Sequence, residues 1–261
     1  MNIKRDNRGQ YDFSGKVVMV TGGTMGIGKD IALGFAAAQA DICITARDEK
    51  ALSRTAEEIE DFGVRCWTYA GDVSEVLPCR HIADYFLEKA GAVDILINNA
   101  GVSITEPFLD LDFAHWDKVL AVNLRAPAVI GKVIAESMAG RGEGIIINVA
   151  SNAGIGAITE HASYCASKFG LLGLTKVMAV ELGPLGIRVN AVAPTVVLTP
   201  MGLRVWGDPA KADPVKAKIP LNRFAYPEEI TDVILFLASG SSSMIHGETI
   251  VIDGGANARL Y

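Results

Sequence analysis

Lys16-Val17-Val18-Met19-Val20-Thr21-Gly22-Gly23-Thr24-Met25-Gly26-Ile27-Gly28 is the stretch on which the fold turns. Its first six residues are mostly apolar and rich in valine, as a strand buried on both faces should be. The run passes directly into a glycine turn, Thr21-Gly22-x-x-x-Gly26-x-Gly28, and then into a helical pattern over 29–38. Glycines permit a tight turn and let backbone N–H groups approach a phosphate, while a helix N-terminus adds partial positive charge. A plain turn would also explain such a string taken alone. Its place between a first strand and a first helix favours dinucleotide binding. Gly22, Thr24, Met25, Gly26, Ile27 and Gly28 are therefore the expected cofactor contacts.

The rhythm continues outward from there. Strands are expected over 41–46, 64–70, 93–98, 144–150, 187–193 and 249–252, and helices over 49–62, 75–89, 112–138, 164–182 and 228–238. Such alternation means right-handed βαβ crossovers and a sheet covered on both faces. The expectation is one α/β domain over 1–261, a Rossmann-type doubly wound parallel sheet in three layers. Residues 1–14 read as a loosely attached arm. Residues 195–226, punctuated by Pro and Gly but carrying apolar and aromatic side chains, read as a segment covering the substrate.

Composition narrows the function classes. A chain of 261 residues with 50% hydrophobic content can bury a large core. A net charge of -6 offers no basic field to collect phosphates, which argues against nucleic acid as a partner. Cys43, Cys66, Cys79 and Cys165 lack the paired spacing of zinc or disulfide frameworks, so no metal site is expected and a reducing compartment is. No apolar run is long enough for a bilayer, and the polar start lacks a signal-peptide core. A cytoplasmic protein without a membrane partner is the expectation.

The ends of the later strands extend the cofactor edge. After the second strand come Arg47, a planar fork suited to a ribose 2′-phosphate, and Asp48, best read as the N-cap of the next helix. The order favours NADP(H), with NAD(H) as the alternative. Asp72 and Val73 follow the third strand and would meet the adenine. Asn99, Ala100 and Gly101 follow the fourth, where backbone can pass close to a ribose.

Ser163-Tyr164-Cys165-Ala166-Ser167-Lys168 carries the chemistry. Residues four apart share a helix face, so Tyr164 and Lys168 project side by side. An ammonium beside a phenol favours the phenolate and pulls its pKa down from about 10. Such a tyrosine can exchange a proton with an alcohol or carbonyl oxygen. Ser151, closing the expected 144–150 strand, would hold the same oxygen. Taken alone, Tyr-x-x-x-Lys is also explained by a packed tyrosine and a solvated lysine.

Taken together, these motifs resemble the short-chain dehydrogenase/reductase family over residues 14–255, carried by the glycine turn, Asn98-Asn99-Ala100-Gly101, Asn123, Ser151 and Tyr164-x-x-x-Lys168. The resemblance implies that Tyr164 is the general acid/base and that Ser151 orients the substrate oxygen. It implies that Lys168 binds the nicotinamide ribose and that Asn123 holds a water in the proton relay. It further implies nicotinamide contacts from Pro194, Val197 and Thr199, and a homotetramer built on the 112–138 and 164–182 helices. Thr195 departs from the pattern, which commonly has glycine there. The 194–202, 206–212 and 219–225 stretches are similar to the L-xylulose (dicarbonyl) reductase and polyol dehydrogenase group, in which a histidine and a tryptophan matching His161 and Trp206 line the sugar pocket and NADPH is the cofactor. Where that group has a basic residue in the glycine turn, this chain has Met25.

Read for itself, the pocket would be ringed by Ser151, Asn152, Glu160, His161 and Tyr164, with Trp206 closing it. Hydrogen-bonding groups of this kind select a polyhydroxylated substrate. The expected function is reversible hydride transfer between the cofactor and a small ketose or polyol. The rivals are reduction of non-sugar ketones or of 3-oxoacyl chains on a carrier protein, and a catalytically silent cofactor-binding protein. No Gly-x-Ser-x-Gly elbow of a serine hydrolase occurs.

Overall fold

Seven strands lie parallel in one sheet: β1 (Val17–Thr21), β2 (Asp41–Ala46), β3 (Cys66–Ala70), β4 (Ile95–Asn98), β5 (Gly144–Val149), β6 (Ile187–Pro194) and β7 (Thr249–Ile252). Their order is β3-β2-β1-β4-β5-β6-β7, so the winding reverses between β1 and β4. Ligands of open α/β sheets bind at the carboxyl ends of strands beside such a reversal. The computed structural model describes residues 11–258.

Helices cover both faces. They are α1 (Gly26–Ala37), α2 (Glu49–Glu60), α3 (Val76–Ala90), α4 (Phe113–Leu120), α5 (Ala126–Arg141), α6 (Ala162–Leu182), α7 (Pro200–Trp206), α8 (Pro209–Lys216) and α9 (Pro227–Ala238). One buried layer joins Val18, Val20, Ile42 and Ile44 to Ile31 and Phe35 of α1 and to Ile230 and Ile234 of α9. The other joins Met19, Leu96 and Ile146 to Ile82 and Phe86 of α3 and to Ile130 and Ile134 of α5. Alternate residues of β1 thus feed opposite cores, which is why its whole run is apolar.

Four local features differ from the sequence expectation. Helix α1 starts at Gly26, inside the glycine turn rather than after it. The 195–226 segment, for which no helix was expected, contains α7 and α8, capped by the side chains of Thr199 and Asp208. The 112–138 helix is interrupted by a π-helical segment, Ala121–Arg125. Within the described part of the N-terminal arm, Phe13 is not loose. It is buried with its ring centroid 5.0 Å from that of Phe35, and its N–H bonds the Ala38 carbonyl at 2.7 Å. Residues 1–10 of that arm lie outside the described residues.

Candidate active site

The ends of β1 and β4 are tied together at the reversal. Thr21 Oγ1 accepts from the N–H groups of Asn99 and Ala100, both at 3.0 Å. Asn99 Nδ2 donates to the carbonyls of Thr21 and Gly22 at 3.0 and 3.2 Å. The amide of Asn99 therefore holds the turn rather than projecting from it. Gly22 sits at φ +68°, and a Cβ there would lie 3.1 Å from the Ala100 Cα. At Gly28 a Cβ would come within 2.3 Å of both Asn99 Nδ2 and the Gly22 carbonyl oxygen. The Thr45 carbonyl takes the N–H groups of Gly22 and Gly23, at 2.8 and 3.3 Å. Beyond them, the first turn of α1 presents N–H groups that have no helical acceptor. Gly26 faces the Thr199 methyl, which a Cβ would approach to 3.1 Å, so the turn and the 195–226 segment meet there. This is a cradle of backbone donors at a helix N-terminus, with no room for a Cβ at Gly28. It fits a dinucleotide phosphate.

Further along the edge, Arg47 is exposed at the end of β2, and Asp48 Oδ1 caps α2 through the N–H groups of Lys50 and Ala51 at 2.9 and 3.2 Å. The capping role read from sequence for Asp48 is thus met. Asp72 Oδ1 accepts from the Ser74 N–H at 2.8 Å. That bond, aided by the charges of Arg47 and Lys118, holds the Asp72 carboxyl below its ordinary range against some desolvation. The adjacent Val73 carbonyl accepts from the Cys79 thiol at 3.2 Å.

The catalytic candidates converge at the ends of β5 and α6. Ser151 Oγ accepts from the Ala153 N–H at 3.1 Å and lies close enough to the Tyr164 phenol to favour its ionised form. Lys168 is buried, lies with Nζ 5.7 Å from the Tyr164 ring centroid, and donates to the Val149 carbonyl at 2.9 Å. Burial brings its pKa down from 10.5 to about 8. The expectation that this lysine depresses the tyrosine is not met. Burial raises the Tyr164 phenol, and the Ser151 hydroxyl only partly counters it.

Asn123 lies in the π-helical segment and is wholly buried. Its Oδ1 accepts from the Val102 N–H at 2.8 Å, and its Nδ2 donates to the Val102 carbonyl at 2.9 Å and to Ser167 Oγ at 3.0 Å. The side chain is thereby spent on holding the loop after β4 to α6. Gly101 closes the group, since a Cβ there would lie 3.4 Å from Asn123 Oδ1 and 3.7 Å from Lys168 Nζ. Sequence reasoning missed Ser167, whose hydroxyl bridges Asn123 and the Tyr164 carbonyl, the latter at 2.7 Å. Its position three residues after the tyrosine was the available signal.

Around this centre, Asn152 Oδ1 accepts from Ser151 Oγ at 3.2 Å, and its Nδ2 reaches Thr195 Oγ1 at 3.5 Å. Thr195, the departure noted above, therefore has a partner among the expected pocket residues. His161 stands edge-on to Tyr164 at 6.2 Å between ring centroids, with Nδ1 on the Thr159 carbonyl at 2.7 Å. Glu160 before it holds φ +62°, a conformation that L side chains rarely adopt. Pro194 ends β6 and Val197 is buried, while Thr199 Oγ1 caps α7 through the Gly202 N–H at 3.0 Å. Trp206 packs on Phe224, at 5.8 Å between centroids, within the small core of the covering segment.

Known proteins resemble this chain over most of its length. A family model described as enoyl-(acyl carrier protein) reductase matches residues 22–257. The chain is 42% identical to the L-xylulose reductase of Bos taurus, over 93% of this chain and 96% of that one. It is 39% identical to the D-threitol dehydrogenase of Mycolicibacterium smegmatis, over 94% and 95% respectively. Among solved structures, a short-chain type dehydrogenase/reductase from Mycobacterium marinum superposes with TM-score 0.89 at 35% identity, covering 95% of this chain and 98% of that one. An NAD+-bound xylitol dehydrogenase does so with TM-score 0.89 at 29% identity, covering 93% and 99%. The chain belongs to the short-chain dehydrogenase/reductase family.

Proposed function

We propose that this short-chain dehydrogenase/reductase moves a hydride reversibly between a nicotinamide dinucleotide and a small ketose or its polyol. The observation that carries the reading is Tyr164, with Lys168 Nζ 5.7 Å from its ring centroid and Ser151 beside its phenol, on the sheet edge where the glycine turn lies. The bound cofactor supplies or accepts the hydride. In reduction Tyr164 gives its phenolic proton to the carbonyl oxygen, and in oxidation it takes that proton back. A phenol kept protonated by burial suits the first role. Ser151 holds the reacting oxygen, and Asn152, bonded to both Ser151 and Thr195, fixes the hydroxyl that does so. His161 and Trp206 line the sugar side.

Lys168 binds the nicotinamide ribose and, when charged, favours the phenolate as the proton leaves. Asn123 serves the relay through its main chain, because its side chain is spent on Val102 and Ser167. Gly22, Thr24, Met25, Gly26, Ile27, Gly28, Asp72, Val73, Asn99, Ala100, Gly101, Pro194, Val197 and Thr199 form the cofactor edge. NADP(H) is the preferred cofactor, since Arg47 is exposed at the end of β2 while Asp48 is occupied as a cap.

The assembly we propose is a homotetramer. It is supported by the exposed apolar stripe Phe169, Val177 and Val180 on α6. Four unpaired cysteines support a cytoplasmic setting. No described helix is long and apolar enough to cross a membrane.

The test is the initial rate of NADPH and NADH oxidation with L-xylulose, D-erythrulose and D-fructose. Fast NADPH-linked reduction of one ketose is expected. Activity with NADH alone would overturn the reading of Arg47, and no rate with any ketose would overturn the substrate class. The description of the matching family model favours one second reading, reduction of acyl chains on a carrier protein. Turnover of acyl thioesters without turnover of ketoses would install it.

A further inference from the structure

We propose that Arg125 is a positioning residue for the adenine end of the cofactor site, acting through the Asp72–Val73–Ser74 turn. The inference rests on the reading that this turn meets the adenosine. Arg125 closes the π-helical segment that also carries Asn123. A π segment inserts one residue into a helix, which rotates the side chains beyond it relative to those before. Here two polar residues only two positions apart reach different parts of the same edge. Asn123 grips Val102 and Ser167, next to the catalytic lysine. Arg125 Nη2 donates to the Ser74 carbonyl.

The turn it grips is held at three consecutive main-chain groups. The Ser74 N–H is held by Asp72 Oδ1 at 2.8 Å, the Val73 carbonyl by the Cys79 thiol at 3.2 Å, and the Ser74 carbonyl by Arg125. Of the three holds, only the arginine comes from outside the turn and its following helix, and it alone carries a charge-assisted bond from donor to carbonyl. A guanidinium on a backbone carbonyl has no acid to neutralise and no reacting atom to touch. Its effect is to fix where Asp72 and Val73 stand. The π segment thus references the adenine turn and the catalytic loop to one rigid element.

Binding of ADP-ribose, followed by calorimetry, tests this on the intact protein, alongside steady-state kinetics with NADPH. Arg125→Met should raise the Kd of ADP-ribose at least threefold, an effect on the scale of one charge-assisted hydrogen bond (about tenfold). KM for NADPH should rise by a similar factor while kcat at saturating cofactor holds. An ADP-ribose Kd raised less than threefold would overturn the inference. A kcat that falls as far as the Kd rises would also overturn it, because the whole segment would then have moved. Should Arg125→Met fail to fold, Arg125→Lys, which keeps the charge but not the fork, decides by the same two readings. Wild-type protein that binds no ADP-ribose would instead overturn the cofactor reading on which the inference stands.

Discussion

Replacing Lys168 with methionine should change the pH dependence of stability by a predictable amount. The lysine is buried, and its pKa falls from 10.5 to about 8 because the charged form loses its hydration. Between those values the unfolded chain binds a proton that the folded chain does not, so this group makes stability rise with pH across the window. The cost is fully present below pH 8 and is relieved as pH climbs towards 10.5. One pKa unit is about 1.4 kcal/mol, so the whole effect is roughly 3 kcal/mol, of which roughly 2 to 3 kcal/mol is relieved between pH 7 and pH 10.

Methionine matches the stem of the lysine and does not titrate. The stability difference, wild type minus Lys168→Met, should therefore become more favourable to wild type by that amount from pH 7 to pH 10. Titrating groups remote from Lys168 cancel in the difference. Urea unfolding of both proteins at pH 7, 8, 9 and 10 measures it. A difference that is flat over this range would refute the claim that Lys168 is a desolvated amine in the free protein.

Two further substitutions follow from the backbone. Gly28→Ala places a Cβ 2.3 Å from Asn99 Nδ2 and the Gly22 carbonyl oxygen, so the turn must open. Kd for NADPH should rise by about tenfold or more, the scale of losing one charge-assisted contact to a phosphate, and an unchanged value by fluorescence titration would contradict the cradle. Glu160→Gly removes an L side chain from φ +62° and should stabilise the fold by up to about 1 kcal/mol, read as a higher urea midpoint. A lower midpoint would mean that the Glu160 side chain contributes more than its strain costs.

Much of the fold was legible because parallel strands announce themselves. The run over 41–46 is apolar and bounded by turn residues, and β2 occupies those same positions. The start of α1 was not legible, because Gly26 and Gly28 look like turn residues, and the lack of room for a Cβ beside Thr199 and Asn99 is a property of the packed structure. No helix was expected at α7 and α8, which lie in the segment read as punctuated by Pro and Gly. Pro200 and Pro209 in fact occupy first-turn positions behind the caps Thr199 and Asp208, a signal that the sequence did contain.

The catalytic set was legible by spacing. The π segment was not read from the sequence, although Pro127 inside the expected 112–138 helix, which has no N–H to give to the ladder, marked where the helix is interrupted. The direction of the Tyr164 pKa was also beyond the sequence, because burial is a property of the packed structure.

The most direct test of the central claim is Tyr164→Phe, assayed for ketose reduction and, in the same preparation, for binding of NADPH. The account predicts that turnover is lost while the cofactor Kd stays within about twofold, since the phenol is assigned the proton and not the grip on the dinucleotide. A variant that still reduces the ketose at a rate near that of the wild type would contradict the assignment of Tyr164 as the acid and base.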